Sequence, residues 1–237
     1  MYQLIAFDAY GTLFDVYAIG ALAEALFPGH GTALAVLWRD RQIEYTRLLT
    51  MSDPSASGSR HYLPFQEVTL RALRYSCKRL GLPLHAEEEV RLMAQYAHLQ
   101  PFPESAAVLH ALKSRGLRTC ILSNGNPEML AQLVANGGLR PALDEVVSVD
   151  PARVFKTAPQ SYQRLLDTFG LPREEILFVS SNAWDAVGAS WFGLDVFWVN
   201  RAHHPFEEIG DPPRFQGTSL TDLLSLAERD FFPQEPT

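Results

Sequence analysis

Apolar runs alternate with amphipathic stretches along the second half of the chain. Strands are predicted at 117–122, 145–149, 176–179 and 195–199, and helices at 104–114, from 127 onward, at 159–169, 183–192 and 219–228. A further buried strand is predicted at 1–7, where residues 4–7 are apolar. The alternation predicts an α/β fold, a doubly wound, Rossmann-like parallel sheet with right-handed crossovers.

Between the first strand and residue 100, the pattern is helical throughout. Helices are predicted at 16–27, 32–50, 64–80 and 86–99, without an intervening strand. The sequence therefore predicts a helical cap domain, residues 15–99, inserted into a core domain of residues 1–14 and 100–237. The cap is expected to cover the carboxyl edge of the sheet.

The helix at 32–50 has one apolar stripe. It consists of Leu34, Leu37, Trp38, Tyr45, Leu48 and Leu49. Arg39 points almost opposite to this stripe, so periodicity alone indicates an arginine that faces solvent.

Composition and charge exclude several classes of partner. Hydrophobic residues make up 47% of the chain and charged residues 20%, as in ordinary globular proteins. The net charge of -7 argues against nucleic acid or an anionic membrane. Cys77 and Cys120 are too few for a disulfide framework and are expected to be buried thiols. The start of the chain lacks a targeting pattern, and no apolar run approaches membrane-spanning length, which predicts a cytoplasmic protein.

Polar residues follow the predicted strands, where ligands bind in open parallel sheets. These residues are Asp8, Ser123, Asn124, Lys156, Ser180, Asn182 and Asp185. Several of them have a structural alternative: Asp8 suits a turn, Asn182 a helix N-cap, and Asp185 the positive end of a helix dipole. Lys156 precedes a helix and opposes its dipole, so that explanation does not apply to it.

Several segments together resemble the haloacid dehalogenase superfamily. They are Asp8-Ala9-Tyr10-Gly11-Thr12-Leu13, Ser123-Asn124-Gly125, Lys156 and Ser180-Ser181-Asn182-Ala183-Trp184-Asp185. Trp38-Arg39 with Gln42, Glu44-Tyr45-Thr46 and Asn200-Arg201 resemble the L-2-haloacid dehalogenases within it. The resemblance spans nearly the whole chain.

The sequence also departs from the wider superfamily. Tyr10 stands where the phosphatases of the superfamily have a second aspartate, and Asp185 is the single acid of a motif that often has a pair. Both departures favour a site without magnesium, because Mg²⁺ prefers several oxygen ligands that include carboxylates. We expect neither a metal nor a cofactor. Thr157-Ala158 follows Lys156, where relatives often have a proline.

The resemblance implies a hydrolytic dehalogenase. It would convert short-chain (S)-2-haloacids to (R)-2-hydroxy acids and halide, through an aspartyl ester on Asp8 and with inversion. The implied partners are the small 2-haloalkanoic acid and the halide product, and the implied assembly is a homodimer.

The resemblance also implies roles for the site residues. Thr12 would hold Asp8, Lys156 would keep it ionised, and Arg39 would receive the halide. Ser123 and Asn124 would bind the substrate carboxylate. The hydrolytic water would be positioned by Ser180, Asn182 and Asp185, with Tyr162 orienting this network. Tyr10, Phe65 and Trp184 would wall an apolar pocket, although Phe65 and Tyr162 are also ordinary core candidates.

Three alternatives to this function stay open from the sequence. The first is a Mg²⁺-dependent phosphatase of the same superfamily, which Tyr10 disfavours. The second is a defluorinase acting on fluoroacetate. The third is a non-catalytic member that binds a small acid or a partner protein.

Overall fold

A single parallel sheet organises the computed structural model, which describes residues 1–53, 55 and 57–226. Its strands are β1 (Leu4–Phe7), β2 (Arg118–Ser123), β3 (Glu145–Ser148), β4 (Ile176–Ser180), β5 (Asp195–Val199) and β6 (Phe215–Gly217). The strand order is β3-β2-β1-β4-β5-β6, and every neighbouring pair is parallel. The predicted doubly wound α/β fold is confirmed.

The position of β1 in this order explains where a site can form. β1 lies between β2 and β4, so the crossovers leave it in opposite directions and open a crevice at its carboxyl end. All four residues of β1 are buried, as expected for a strand covered on both faces. Phe7 pairs with Val179, and Asp8 N donates to the Val179 carbonyl at 2.9 Å. Asp8 therefore stands beside the end of β4.

The helices follow the predicted order. They are α1 (Ile19–Leu26), α2 (Gly31–Met51), α3 (Phe65–Leu80), α4 (Ala86–Gln95), α5 (Ser105–Ser114), α6 (Pro127–Asn136), α7 (Pro159–Phe169), α8 (Ala183–Phe192) and α9 (Thr221–Leu226). Helices α1 to α4 follow β1 and precede α5 along the chain, and they pack on one another. They are called the inserted helices below. The last two residues of the helix predicted at 219–228 lie outside the described residues.

Two elements differ from the sequence prediction. β6 was not predicted, because its three residues show no apolar run and only its parallel pairing with β5 defines it. The fourth predicted helix, 86–99, ends early: α4 stops at Gln95 and continues as a 3-10 turn over Tyr96–His98. Such tightened turns are frequent at helix ends and leave no periodic signal.

The orientation of α2 agrees with the apolar stripe only in part, because Leu34 and Trp38 are buried, but so are polar residues outside the stripe. Leu48 is 56% exposed, whereas Arg39 is only 6% exposed and Gln42 and Thr46 are buried beside it. The interpretation of Arg39 as a solvent-facing residue is therefore wrong. The helix turns polar residues inward because part of its inner face covers a polar site rather than the apolar core.

The inserted helices contact the carboxyl edge of the sheet at several places. Gln66 N donates to Asn126 Oδ1 at 3.2 Å, and Phe155 N donates to Thr50 Oγ1 at 3.0 Å. The side chain of Asn126 is thus engaged by α3 and does not cap α6, although Pro127 starts that helix as predicted. These contacts close the crevice above β1.

Both cysteines, Cys77 and Cys120, are free and buried, as predicted. Within residues 1–53, 55 and 57–226, no helix combines the length and the apolar character needed to cross a membrane.

Candidate active site

Three charged side chains from separate elements meet at the crevice. Asp8 follows β1, Lys156 lies in the loop before α7, and Asp185 is in the first turn of α8. Lys156 Nζ lies 3.0 Å from Asp8 Oδ1 and 2.9 Å from Asp185 Oδ2. All three side chains are buried, Asp185 completely. One ammonium group therefore bridges two carboxylates without bulk solvent around them.

This burial and pairing shift the pKa values in a consistent direction. Burial lowers the pKa of Lys156, but the carboxylates of Asp185 and Asp8 together outweigh it, so the net pKa is raised. Burial raises the pKa of Asp185 to about 6, with Lys156 opposing and Asp8 adding to the rise. Lys156 stays charged at neutral pH, and Asp185 is a carboxylate whose protonation lies close to neutrality.

The second oxygen of Asp8 is held by two uncharged donors. Thr12 Oγ1 donates to Asp8 Oδ2 at 3.2 Å, and Asn182 Nδ2 donates to it at 2.9 Å. Gly11 has a φ of +91°, a conformation that favours glycine and turns the loop so that Thr12 returns to Asp8. Asn182 occupies the N-cap position of α8, but its side chain makes no capping bond. Capping therefore does not account for the Asn182 side chain.

Asp185 is likewise more than a residue suited to a helix dipole. Its Oδ1 accepts from the Tyr162 hydroxyl at 2.8 Å, and its Oδ2 accepts from Ser180 Oγ at 3.2 Å. The Tyr162 ring also stacks on Phe192 with centroids 5.8 Å apart, so Tyr162 is at once a core aromatic and a partner of Asp185. These contacts fix the orientation of a buried carboxylate.

Arg39 enters the site from the inserted helices. Its Nη1 donates to Gln42 Oε1 at 2.8 Å and its Nη2 to the Tyr10 carbonyl at 3.3 Å. Gln42 Nε2 donates in turn to Thr69 Oγ1 on α3 at 2.6 Å. Sequence reasoning missed the support from Gln42, which lies three residues after Arg39 and thus on the same helix face.

A small cavity borders Asp8 and collects the remaining predicted residues. Its lining consists of Asp8, Tyr10, Arg39, Ile43, Thr46, Phe65, Ser123, Asn124 and Trp184. Ile43 and Thr46 were not predicted, although they too follow Arg39 at helical spacing. Asn124 Oδ1 accepts from Lys156 N at 2.9 Å, which ties the loop after β2 to the charged cluster.

The aromatic wall of the cavity is formed by Tyr10 and Phe65, whose ring centroids lie 5.6 Å apart. Both side chains are buried and belong to the main apolar core, so each ring packs in the core and lines the cavity at the same time. Trp184 is half-buried, and the Arg47 guanidinium lies 5.5 Å from its ring centroid.

The donor set does not fit a magnesium ion. Across the described ranges, no group of three or more His, Cys, Asp or Glu side chains is arranged to hold a metal. Asp8 and Asp185 share the Lys156 ammonium, which takes the place between them that a cation would need. Burial raises the pKa of Tyr10, so its hydroxyl stays neutral and offers no negative charge to a cation.

Comparison with known proteins gives a consistent result. A family model described as haloacid dehalogenase-like hydrolase matches residues 2–193. The (S)-2-haloacid dehalogenase of Pseudomonas sp. (strain YL) is 43% identical over 224 residues, 94% of each chain. The crystal structure of the L-2-haloacid dehalogenase RSc1362 shares 51% identity at a TM-score of 0.92, over 96% of this chain and 99% of that one.

A second solved structure carries a bound group. It is the L-2-haloacid dehalogenase from Xanthobacter autotrophicus with chloropropionic acid covalently bound. That chain is 35% identical, with a TM-score of 0.88 over 97% of this chain and 100% of its own length. The similarity thus extends over both the sheet and the inserted helices.

Proposed function

This chain belongs to the haloacid dehalogenase-like hydrolases, and we propose that it hydrolyses the carbon–halogen bond of short-chain (S)-2-haloacids. The products are the (R)-2-hydroxy acid and halide. The observation that carries the proposal is the buried Asp8 carboxylate, paired with Lys156 and bordering a cavity that also contains Arg39.

In the first step, Asp8 attacks C2 of the substrate in line with the bond to the halogen. Both oxygens of Asp8 have partners: Oδ2 accepts from Thr12 and Asn182, and Oδ1 pairs with the Lys156 ammonium. We assign the attack to Oδ1, because the two donors on Oδ2 then stay in place for the second step. The new bond joins Oδ1 to C2, the carbon–halogen bond breaks, and halide leaves with its electron pair. Arg39 stabilises the charge that develops on the halide. Attack from the rear inverts C2 and leaves an ester on Asp8.

Two sets of residues that line the cavity hold the substrate. Ser123 and Asn124, at the end of β2 and before α6, bind its carboxylate. Tyr10, Phe65 and Trp184 contact its short alkyl group. Before the substrate binds, the two cations Lys156 and Arg39 balance the two carboxylates of the site. The anionic substrate therefore enters a site without an excess of negative charge.

In the second step, water attacks the carbonyl carbon of the Asp8 ester. Asp185 takes a proton from this water, and Ser180 and Tyr162 hold the Asp185 carboxylate in place. Thr12 and Asn182 donate to Oδ2, where negative charge collects in the tetrahedral intermediate. When the intermediate collapses, Asp185 returns its proton to the leaving alkoxide, so the hydroxy acid departs with an oxygen that came from Asp8 and both carboxylates are restored.

Halide release from the two enantiomers of 2-chloropropionate tests the proposed function. We expect release from the (S) form alone and no effect of EDTA, because the donor set does not fit a metal. Release from neither form would reject chloropropionate as a substrate, and fluoroacetate would be assayed next. Hydrolysis of a phosphate monoester that EDTA abolishes would replace the proposal by a phosphatase.

The pKa of Asp185 predicts how turnover depends on pH. Protonated Asp185 cannot accept a proton from water, so kcat should be constant above about pH 6 and fall below it. In the ester, Asp8 is uncharged and no longer raises the pKa of Asp185. We therefore expect kcat to fall at about pH 6 or at a lower pH. The Tyr162 hydroxyl stabilises the carboxylate, so Tyr162→Phe should move the fall to higher pH. A profile of kcat for both proteins, measured at constant ionic strength, checks the direction.

Three further statements stay predictions. The domain division into 1–14 with 100–237 and 15–99 awaits limited proteolysis. The homodimer is measured by light scattering of the purified chain. The cytoplasmic location is measured by cell fractionation.

A further inference from the structure

Two segments connect the inserted helices to the sheet, and they pair with each other. Phe102 N donates to the Leu13 carbonyl at 2.9 Å, and Asp15 N donates to the Gln100 carbonyl at 3.0 Å. Phe14 and Pro101 form an antiparallel bridge between these two bonds. The first segment directly continues the loop that carries Asp8 and Thr12. A shift in this pairing would therefore be transmitted to Asp8.

Arg201, in the loop after β5, contacts both segments at once. Its Nη2 donates to the Thr12 carbonyl at 3.1 Å. Its guanidinium lies over the Phe102 ring, 3.9 Å from the centroid, and its Nη1 pairs with Glu104. A planar guanidinium can make these three contacts simultaneously, which a lysine ammonium cannot. Arg201 and Glu104 are both mostly buried, with 22% and 17% of their side chains exposed.

Thr12 connects Arg201 to the nucleophile. Its hydroxyl donates to Asp8 Oδ2 and accepts from Ser181 N at 2.8 Å, so it joins the loop after β1 to the loop after β4. The Ser181 carbonyl accepts from Trp198 Nε1 on β5, at 3.3 Å. Arg201 does not contact Asp8 and acts on it only through the Thr12 backbone.

We propose that Arg201 is a positioning residue that fixes the Asp8–Thr12 loop against the paired segments and so sets the orientation of the Asp8 carboxylate. The inference rests on the proposed function only for the role of Asp8 as nucleophile. The link from Arg201 to the Thr12 loop is independent of it. Misplacement of a nucleophile by about 1 Å costs roughly 10²-fold in rate, which sets the expected scale.

The test compares Arg201→Met with a matched control, Arg214→Met. Arg214 lies 5.1 Å from the centroid of the Phe215 ring and pairs with Asp195 at 2.6 Å, so it also combines an aromatic contact with an ion pair. Arg201→Met should lower kcat about 10- to 100-fold with little change in KM, and Arg201→Lys should recover only part of the loss. Arg214→Met should retain the kcat of the unaltered protein.

Two measurements separate positioning from general destabilisation. Amide hydrogen exchange should accelerate at residues 11–14 and at Ser181 in Arg201→Met, and not in Arg214→Met. The losses in kcat from Arg201→Met and Thr12→Val should be less than additive, because Arg201 holds the Thr12 backbone and thereby places the hydroxyl that Thr12→Val removes. Unchanged exchange at 11–14, or additive losses, would overturn the proposal. If the unaltered protein released no halide, the proposed function would fail, while hydrogen exchange would still decide the link.

Discussion

Asp8→Asn is expected to abolish halide release from (S)-2-chloropropionate, with a loss of at least about 10⁴-fold. An amide is a poor nucleophile toward carbon, and no neighbouring group replaces the carboxylate: Asp185 is held on the far side of Lys156. The fold should survive, since asparagine keeps the shape of the side chain and Lys156 keeps Asp185 as its partner. The assay is halide release under single-turnover conditions, with circular dichroism to verify folding.

Asp15→Asn is the matched control for this variant, because it makes the same change in the same loop. Asp15 accepts from Tyr17 N at 2.9 Å and is outside the charged cluster. The Asp15→Asn variant should therefore keep the rate of the unaltered protein.

A single turnover of the unaltered protein in ¹⁸O-water is a direct assay of the ester: the label should enter Asp8 while the first product stays unlabelled. Label in the first product would instead mean that water attacks the substrate directly.

The sheet and the strand-end residues were predictable because each depends on local sequence. β1, β2, β4 and β5 are apolar runs that end at polar residues, and parallel topology brings their carboxyl ends to one edge. The sequence therefore predicts that Asp8, Lys156 and Asp185 lie at the same edge of the sheet. Their mutual distances then required the structure, because they depend on loop paths that no periodicity encodes.

Arg39 and Asn182 mark where the sequence could not decide. Helical periodicity assumes that only the apolar face is buried. α2 also buries Arg39, Gln42 and Thr46, which cover a polar site. An asparagine at an N-cap position predicts a capping bond, but the Asn182 amide donates to Asp8 and to the Tyr10 carbonyl instead. In both cases a tertiary contact replaces the local preference, and the resemblance to a family, rather than the pattern, pointed to the site.

The charge state of the cluster depends wholly on tertiary structure. Burial is the main cause of the raised pKa of Asp185, and repulsion by the Asp8 carboxylate adds to it. Once Asp8 becomes an ester, the Lys156 charge is shared with Asp185 alone. In the proposed mechanism, formation of the ester therefore removes a charge that disfavoured the Asp185 carboxylate. Asp185 is then easier to keep ionised for its proposed role as the base of the second step.

Asp185→Asn is accordingly expected to separate the two steps. The proposed first step does not use Asp185 as a base, so each active site should still release one halide. The second step lacks its base, and steady-state turnover should fall by about 10²- to 10⁴-fold. A rapid burst of halide followed by slow release, together with a protein mass increased by the 1-carboxyethyl group bound to Asp8, is the expected pair of observations. Asp8→Asn should show neither.

Glu128→Gln is the matched control for the helix-dipole explanation of Asp185. Glu128 is also an acid in the first turn of a helix at this sheet edge, but it is exposed and accepts from Asn126 at 2.8 Å. If Asp185 only stabilised the dipole of its helix, Asp185→Asn and Glu128→Gln would lower the stability of the fold by similar amounts. A burst and a trapped ester in Asp185→Asn, with unaltered turnover in Glu128→Gln, would assign Asp185 to hydrolysis of the ester. Loss of the burst itself would place Asp185 before halide departure and contradict its role as the base of the second step.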